Sequence, residues 1–433
     1  MVFVPFIFFT ILTVYWIYKR KEFGISQLLS SLYAICSLMA AILVLTDNVE
    51  GGGILWLGWK VEVNVISTLS YCLLIGLTLL PFSFIKLSNI KTITNTAPIS
   101  LIILSALIVV VSFICIYIVA DSTLDILSGD LKDVRNAFYE GEETPAEIKA
   151  KSMNYVFRIL LYLNVATILA LPLAFYYLCF YPKYWWWSLL LFFSSLSMPI
   201  LGIQTVDRTE IVYWGLMFLY CIIFFHRFFT KGIKIALSVA SSILSIVALV
   251  YLMAVSMARF EDSDNGTFIS MTQYGGQGFL NYCYFCENAD FNLISSEREF
   301  PIFNHYVKKI DSTGDRRNER SAKQGFFISV FPSFAGDILL DLGPIGVVLW
   351  VIGYAILTII IIREYYRNEF NVGEVLLLFV LVSVPLFGIF YYRFHTVNHG
   401  YVILVAIVFY FISKIKFVFS RKDDDICNYS NIQ

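Results

Sequence analysis

The first residue that could do chemistry is an arginine in a tight polar connection between two apolar runs. The connection, IQTVDRTEIVYW, places Arg208 between Asp207 and Glu210. An arginine there lies at the mouth of any cavity that opens on that side, and the two carboxylates can orient its guanidinium by bidentate pairing. Arginines at the ends of membrane spans also extend to lipid headgroups, so an interfacial role for Arg208 stays open.

A second group of ionisable residues lies between the last two apolar runs, in YYRFHTVNHGYV. It contains Arg393, His395 and His399, and the two histidines are four residues apart, a spacing that suits a metal ion on one helix face. A third metal ligand has no evident source, so we predict no metal site. The histidines can serve as a general acid or base, bind an anion, or form an interfacial polar cap.

The long polar segment 257–337 ends in a basic run, GDRRNERSAKQG, shortly before the next apolar run. Arginines of this run can meet phosphate at the membrane plane, because guanidinium pairs well with phosphate oxygens. Acidic residues of the segment roughly balance the basic ones, so a solvated surface is the alternative. We expect one arginine of the run to be functional, and the candidates are Arg316, Arg317 and Arg320.

A polar entry into an apolar run, VFPSFAGDILLDLGPIGVVLW, carries two carboxylates. Asp337 and Asp341 are four residues apart and share one helical face. Carboxylates at this depth are costly unless they are paired or hydrated, so both should point inward. Gly336, Gly343 and Gly346 would allow neighbouring helices to approach closely.

The elements that must position these residues are membrane helices. Of 433 residues, 58% are hydrophobic and 15% charged, whereas soluble chains carry about 25% charged residues. This chain lacks the polar surface to cover a core in water, so lipid must cover it. The predicted fold class is therefore all-α, a polytopic transmembrane helical bundle. The net charge of −1 argues against nucleic acid as a partner.

Eleven apolar runs are long enough to cross a hydrocarbon core about 30 Å thick, which takes about twenty residues. The predicted spans are 2–18, 27–45, 64–84, 99–119, 156–181, 185–203, 210–229, 235–256, 338–362, 374–391 and 400–418.

Lysines and arginines predict the orientation of these spans. With the amino terminus outside, the inner segments hold fifteen of them, and the short outer connections hold only Lys60, Arg208 and Arg393. Positive residues remain on the cytoplasmic side, so the amino terminus should be periplasmic and the carboxyl terminus cytoplasmic.

The chain then divides into four regions. They are spans 1–8 in residues 1–256 with an outer loop at 120–155, a long and partly helical periplasmic loop at 257–337, spans 9–11 in residues 338–420, and a cytoplasmic tail at 421–433. The long loop contains a C-x-x-C pair, Cys283 and Cys286, which is either a local disulfide or two free thiols, since one pair offers too few ligands for structural zinc.

The pattern resembles the Wzy-type family of O-antigen and oligosaccharide-repeat-unit polymerases. The similar features are ten to fourteen spans, a long outer loop in the second half, an arginine at the outer end of a central span, and a D-x-G-x-x-G-like span entry. In this sequence the arginine is Arg208, and the span entry is FAGDILLDLGPIG, with Asp341, Gly343 and Gly346 in the matching places.

The resemblance implies a GT-C-like, metal-independent and cofactor-independent glycosyltransferase of the bacterial inner membrane. Its substrates would be undecaprenyl-pyrophosphate-linked glycans, and its partners a flippase and a chain-length regulator. The implied pyrophosphate-binding residues are Arg208, Arg393 and one of Arg316, Arg317 and Arg320. The implied catalytic residues are Arg208 and a base chosen from Glu210, Asp337 and His399, and the implied sugar-stacking residues are Tyr274 and Tyr282.

The sequence leaves three alternative functions open. An O-antigen ligase would use the same lipid carrier and similar arginines. A flippase or other transporter would favour internal repeats and ionisable residues near the membrane midplane, and neither is evident here. A membrane scaffold without activity is the third, although the long outer loop beside outer arginines favours an active site.

Overall fold

Nearly all of the described chain is helical, which confirms the expectation of an all-α membrane protein. Within the described ranges, nine helices are long and apolar enough to cross a membrane. The computed structural model describes residues 1–46, 61–95, 98–129, 148, 155–204, 206, 208–260, 267–293, 295–309, 314–363 and 369–414.

Over the described residues, every predicted span overlaps helical structure. The α-helices longer than one turn are α1 (Val4–Arg20), α2 (Ile25–Leu45), α3 (Val65–Leu79), α4 (Pro98–Ser128), α5 (Tyr155–Leu163), α6 (Ala170–Phe180), α7 (Trp185–Ser195), α8 (Ser197–Ile203), α9 (Thr209–Phe225), α10 (Lys231–Phe260), α11 (Thr267–Asn288), α12 (Gly314–Gln324), α13 (Ser333–Ile362), α14 (Val372–Phe387) and α15 (Val397–Lys414). Short 3₁₀ segments extend or join them at Leu80–Phe84, Leu87–Asn89, Asn164–Leu169, Pro182–Tyr184 and His226–Phe228.

Two of the eleven predicted spans are shorter than a full crossing. The first coincides with α1, of 17 residues, and the tenth with α14, of 16 residues. All sixteen residues of α14 are buried, so this helix is surrounded by protein and does not have to match the lipid thickness. A total of eleven spans stays a prediction.

The segment predicted as a long outer loop contains α11, which packs against α2, α3 and α13. A Cβ at Gly276 would lie 2.7 Å from the backbone nitrogen of Ala40, so α2 and α11 approach as closely as glycine allows. The rings of Tyr71 and Phe279 are 5.0 Å apart between centroids. The sequence of α11, TFISMTQYGGQGFLNYCYFCEN, is too polar to stand out as an apolar run.

Helix α13 is kinked at Gly343, one of the three glycines expected to allow close helix packing. Gly343 has φ 72° and ψ 179°, a conformation that favours glycine, and Pro344 follows without an N–H for the helix ladder. A Cβ at Gly336 or Gly346 would first meet Pro332 or Leu342, which belong to the same stretch of chain. A Cβ at Gly336 would also lie 3.7 Å from Phe285 of α11, so close approach of neighbouring helices at these glycines stays a prediction, while Gly343 serves the kink.

At the side predicted to be cytoplasmic, a short parallel strand pair anchors α14 and α15. Strand β1 (Thr92–Thr94) pairs with β2 (Glu369–Asn371). Asn371 then caps α14, because its Oδ1 accepts a hydrogen bond from the Gly373 backbone at 2.9 Å. The Nζ of Lys414, at the end of α15, lies 3.0 Å from Glu374 Oε1. The opposite ends of α14 and α15 carry the candidate site.

Candidate functional site

The site forms where the connection 388–396 between α14 and α15 meets the start of α13. Ser333 donates its backbone N–H to the Phe390 carbonyl at 2.9 Å, and Phe334 donates to the Gly388 carbonyl at 2.8 Å. Ser333 has φ 61°, an uncommon conformation for a residue other than glycine, and such residues concentrate at functional sites. These contacts bring basic residues from separate segments together in an arginine cluster, defined as Arg298, Arg317, Arg320 and Arg393.

Arg393 is fully buried between two aromatic rings. Its guanidinium carbon lies 4.6 Å from the ring centre of Tyr213 and 5.4 Å from that of Phe387, and the guanidinium forms an ion pair with Glu210. Burial alone would lower the pKa of Arg393, but the Glu210 carboxylate outweighs it and raises the pKa. A direct pyrophosphate contact does not fit, because the side chain is only 1% exposed.

Glu210 also faces a histidine. Its Oε1 lies 3.6 Å from His399 Nε2, and His399 Nδ1 lies 2.6 Å from Thr396 Oγ1. When Nδ1 donates to Thr396, Nε2 carries the lone pair and can accept a proton, and Glu210 stabilises the resulting imidazolium. His399 is partly exposed, so it fits the role of general base better than Glu210, which already pairs with Arg393.

The two carboxylates of α13 are completely buried and paired with arginines. Asp337 forms an ion pair with Arg298, and its Oδ2 accepts a hydrogen bond from the Tyr392 backbone at 2.7 Å. Asp341 forms an ion pair with Arg320 and accepts a hydrogen bond from the Arg298 backbone at 2.9 Å. Both oxygens of Asp337 are engaged, so the base role considered for it does not fit.

The three candidate arginines of α12 have different environments. Arg316 lies at the surface, 2.9 Å from Glu297 Oε1. Arg320 is held by Asp341 and donates to the Leu340 carbonyl at 2.5 Å. Arg317 forms no ion pair or hydrogen bond with any residue that the structure describes, although it is half-buried. The structure thus separates a surface residue, a structural residue and a residue available to a ligand.

Arg317 interacts electrostatically with Arg298 and, more weakly, with the carboxylates of Asp337 and Asp341. Burial and the nearby Arg298 lower the pKa of Arg317, and burial together with both arginines lowers that of His395. Tyr391 is close enough to interact electrostatically with both of these arginines. His395 Nδ1 lies 2.8 Å from the Tyr392 carbonyl, which can only accept, so Nδ1 donates and Nε2 of the neutral ring is an acceptor.

Arg208 is connected to the same region through aromatic rings. Its guanidinium carbon lies 4.4 Å from the ring centre of Tyr274, on α11. The Tyr274 ring is 5.8 Å from Phe331, and Phe331 stacks on Tyr391 at 5.6 Å. Arg208 therefore faces protein at the cluster side of the bundle. Asp207, expected to orient it, lies outside the described residues.

The two tyrosines proposed to stack on sugars do not present free ring faces. Tyr274 has the Arg208 guanidinium over its ring. Tyr282 is 1% exposed, and its hydroxyl donates to Ser70 Oγ at 2.9 Å between α11 and α3. The sugar-stacking assignment of Tyr282 is wrong, because α11 packs inside the bundle. Cys283 and Cys286 are free thiols on the same helix, and Cys283 is buried.

Several residues of the site were not singled out by the sequence analysis. Arg298 and Glu299 lie in SEREFPIF, where no periodicity or spacing distinguishes them from other charges of the segment. Tyr391 stands two residues before Arg393 and could have been noted as a hydroxyl beside the predicted basic group. Within the described ranges, no group of three or more His, Cys, Asp or Glu side chains could hold a metal ion.

No family model, curated protein or solved structure matches the chain. The family resemblance therefore stays a prediction from the residues that carry it.

Proposed function

We propose that the protein is a membrane-embedded glycosyltransferase that polymerises undecaprenyl-pyrophosphate-linked repeat units at the periplasmic face of the bacterial inner membrane. The observation that carries the proposal is Arg317, a half-buried guanidinium beside Arg298 with no carboxylate partner among the described residues. A flippase would supply the substrate, and a chain-length regulator would act beside the enzyme.

The electrostatics at Arg317 favour an anionic ligand. Two guanidinium groups repel each other where water is partly excluded, and an anion bound between them removes that repulsion. Pyrophosphate offers several oxygens to the planar fork of an arginine. The Tyr391 hydroxyl accepts a hydrogen bond from the Arg393 guanidinium at 3.3 Å and also interacts electrostatically with Arg317, so it links the two arginines. Arg208 extends the positive charge towards α11.

The reaction needs a base and a stabilised leaving group. A hydroxyl oxygen of the acceptor sugar attacks the anomeric carbon of the growing chain, and His399 Nε2 takes the hydroxyl proton. The bond from that carbon to the pyrophosphate oxygen breaks, and the leaving pyrophosphate keeps the electron pair. Arg317 and Arg298 stabilise its charge, while Glu210 stabilises the imidazolium 3.6 Å away.

Arg317 provides the direct test, with its exposed neighbour Arg316 as the control. We expect Arg317→Ala to weaken binding of inorganic pyrophosphate by about tenfold or more, because a charge-assisted hydrogen bond contributes about 1.5–3 kcal/mol. Cells with this variant should carry single repeat units in place of long polymer. Arg317→Lys should restore part of the binding, and Arg316→Ala should behave as wild type. Normal polymer length with Arg317→Ala, at the wild-type amount in the membrane, would contradict the proposal.

Deletion of the protein separates polymerase from ligase. A cell without the polymerase still attaches single repeat units to the surface acceptor, whereas a cell without the ligase attaches none. We expect single units, detected by gel electrophoresis of the surface glycan. Absence of every attached unit would favour the ligase function.

A further inference from the structure

An apolar cleft lies beside the arginine cluster, between residues 299–307 and α15. Its volume is about 410 Å³, within the range of about 300–1,000 Å³ of small-molecule sites. Apart from Glu299, its walls are apolar or aromatic. They include Phe300, Ile302, Phe303, Tyr306, Ile403 and Leu404.

Two contacts fix the shape of the cleft. A Cβ at Gly400 would lie 2.8 Å from Ile302, so the glycine allows residues 301–303 to approach the start of α15. Further along, the hydroxyl oxygens of Tyr306 and Tyr401 are 2.5 Å apart and tie the segment to the same helix. The cleft is therefore formed by the fold of the segment on α15.

The outer wall of the cleft is apolar surface without a protein cover. Phe300, Phe303 and Val307 are each at least half exposed, although they belong to a segment predicted to lie outside the bilayer. An exposed apolar patch of this kind marks a site of contact with lipid or another apolar partner. On α15, Leu404 is exposed together with Val408, one turn further along the lipid-facing side. The cleft thus continues into the surface that contacts lipid.

The inner wall of the cleft reaches the arginine cluster. Glu299 is buried and directly follows Arg298 in the chain. Tyr392 also lines the cleft, and its backbone N–H donates to Asp337, the partner of Arg298. Burial and the neighbouring Asp341 raise the pKa of Glu299, so its carboxyl tends to be neutral and compatible with hydrocarbon.

We infer that this cleft binds the isoprenoid chain of the lipid-linked substrate, at the part of the chain nearest to the pyrophosphate held by Arg317. The inference rests on the proposed function and adds a second recognition site to it. An amphipathic ligand fits because a cationic site and an apolar cleft meet at Arg298 and Glu299. The remainder of the chain lies in the bilayer, which the cleft joins along α15.

The test fills the cleft without removing a charge. Leu404→Trp places an indole ring in the cleft, and Val408→Trp places the same ring one turn away on α15. Leu404 and Val408 are 44% and 46% exposed, so the two variants are matched in environment. Purified protein in nanodiscs is titrated with undecaprenyl pyrophosphate and, separately, with inorganic pyrophosphate, which has no chain.

We expect Leu404→Trp to weaken binding of undecaprenyl pyrophosphate by about tenfold or more while binding of inorganic pyrophosphate is unchanged. Val408→Trp should bind both as wild type. Unchanged pyrophosphate binding also shows that the Leu404 variant is folded. If that variant loses both ligands, Ile403→Phe, a smaller filling of the cleft, is judged by the same two criteria.

Three outcomes would overturn the inference. If Leu404→Trp and Ile403→Phe both bind undecaprenyl pyrophosphate with wild-type affinity, the cleft does not bind the isoprenoid chain. The proposed function still stands in that case if Arg317→Ala loses binding of both ligands. Failure of the wild-type protein to bind either ligand removes the inference and the proposed function together. Displacement of undecaprenyl pyrophosphate by an equal amount of phosphatidylglycerol shows that the cleft accepts any bilayer lipid, which contradicts an isoprenoid site.

Discussion

Arg298, Arg320 and Arg393 each pair with a carboxylate from another segment, and these pairs hold the connections around the site in place. Removing one partner of a buried ion pair costs about 3–5 kcal/mol, because the other charge stays buried without compensation. We therefore assign Arg320 and Arg393 to positioning, while Arg298, which is also paired, adds its charge to the proposed pyrophosphate site beside Arg317. Arg317 carries the same charge and is partly buried, but no carboxylate of the described residues forms an ion pair with it.

Glu299 is the residue at which pH should act on stability. Burial and Asp341 raise its pKa in the folded protein above the unfolded value of about 4.3. The stability that its protonated form contributes is complete below about pH 4.3 and is lost as pH rises through the folded pKa. Glutamine resembles the protonated carboxyl, so Glu299→Gln should avoid that loss. The melting temperature of the variant relative to wild type should rise between pH 4 and pH 8.

The control for this measurement is Glu297→Gln, which removes a carboxylate from the same segment at the surface, beside Arg316. If the difference in melting temperature between Glu299→Gln and wild type stays constant with pH, folding does not raise the pKa of Glu299.

At the scale of elements, α11 determines the shape of the site. It lies within the segment expected to be an outer loop, yet it contacts α2 and α3 and carries Tyr274 to the guanidinium of Arg208. Some of its polar groups have partners inside the bundle: the Asn281 amide donates to the Phe331 carbonyl at 3.0 Å, and the Tyr282 hydroxyl donates to Ser70 at 2.9 Å, whereas Asn281 Oδ1 is buried without a described partner. Such hydrogen bonds lower the cost of burying a helix that is not uniformly apolar.

The contact between α11 and α2 depends on Gly276. Its replacement by alanine should destabilise the protein by about 1–3 kcal/mol, because the added methyl group meets the backbone of Ala40. Gly353→Ala on α13 is the control, since nothing lies within 4 Å of a Cβ there. That change should be neutral or stabilise the helix by up to about 1 kcal/mol. Thermal unfolding in detergent that gives equal melting temperatures for the two variants would show that α11 does not pack tightly on α2.

At the scale of the whole molecule, the proposed function requires the arginine cluster to face the periplasm. The strand pair and the Lys414–Glu374 contact lie at the opposite ends of α14 and α15 from that cluster. The excess of lysine and arginine in the segments at that other end predicts that it is cytoplasmic. Substrate from the periplasm would then reach Arg317 without crossing the bundle.

Cysteine labelling of intact cells tests this orientation. A membrane-impermeant maleimide should label Arg316→Cys, at the surface of α12, and should not label Lys231→Cys, at the start of α10, until the cells are lysed. The wild-type protein, with its own cysteines, gives the background. Labelling of Lys231→Cys alone in intact cells would place the cluster in the cytoplasm and exclude a periplasmic reaction.

Much of the fold was predictable because lipid imposes a simple rule on sequence. A span in hydrocarbon must satisfy its own backbone hydrogen bonds and present apolar side chains, so helices such as α4 and α13 appear directly as long apolar runs. Helix α11 was not predictable in this way, since its surroundings are protein. The inward orientation of Asp337 and Asp341 was expected from the cost of burying a carboxylate, and the structure supplies arginine partners for both.

The sequence by itself determined that this is a helical membrane protein, and it located the two polar connections that carry Arg208 and Arg393. Only the tertiary structure decided which arginine is available to a ligand. Arg316, Arg317 and Arg320 are nearly adjacent in sequence but differ in their ion pairs. Glu297 pairs with Arg316 and Asp341 pairs with Arg320, whereas no carboxylate of the described residues forms an ion pair with Arg317. Ion pairing depends on distances of a few ångströms, and residue spacing along the chain does not fix such distances between segments.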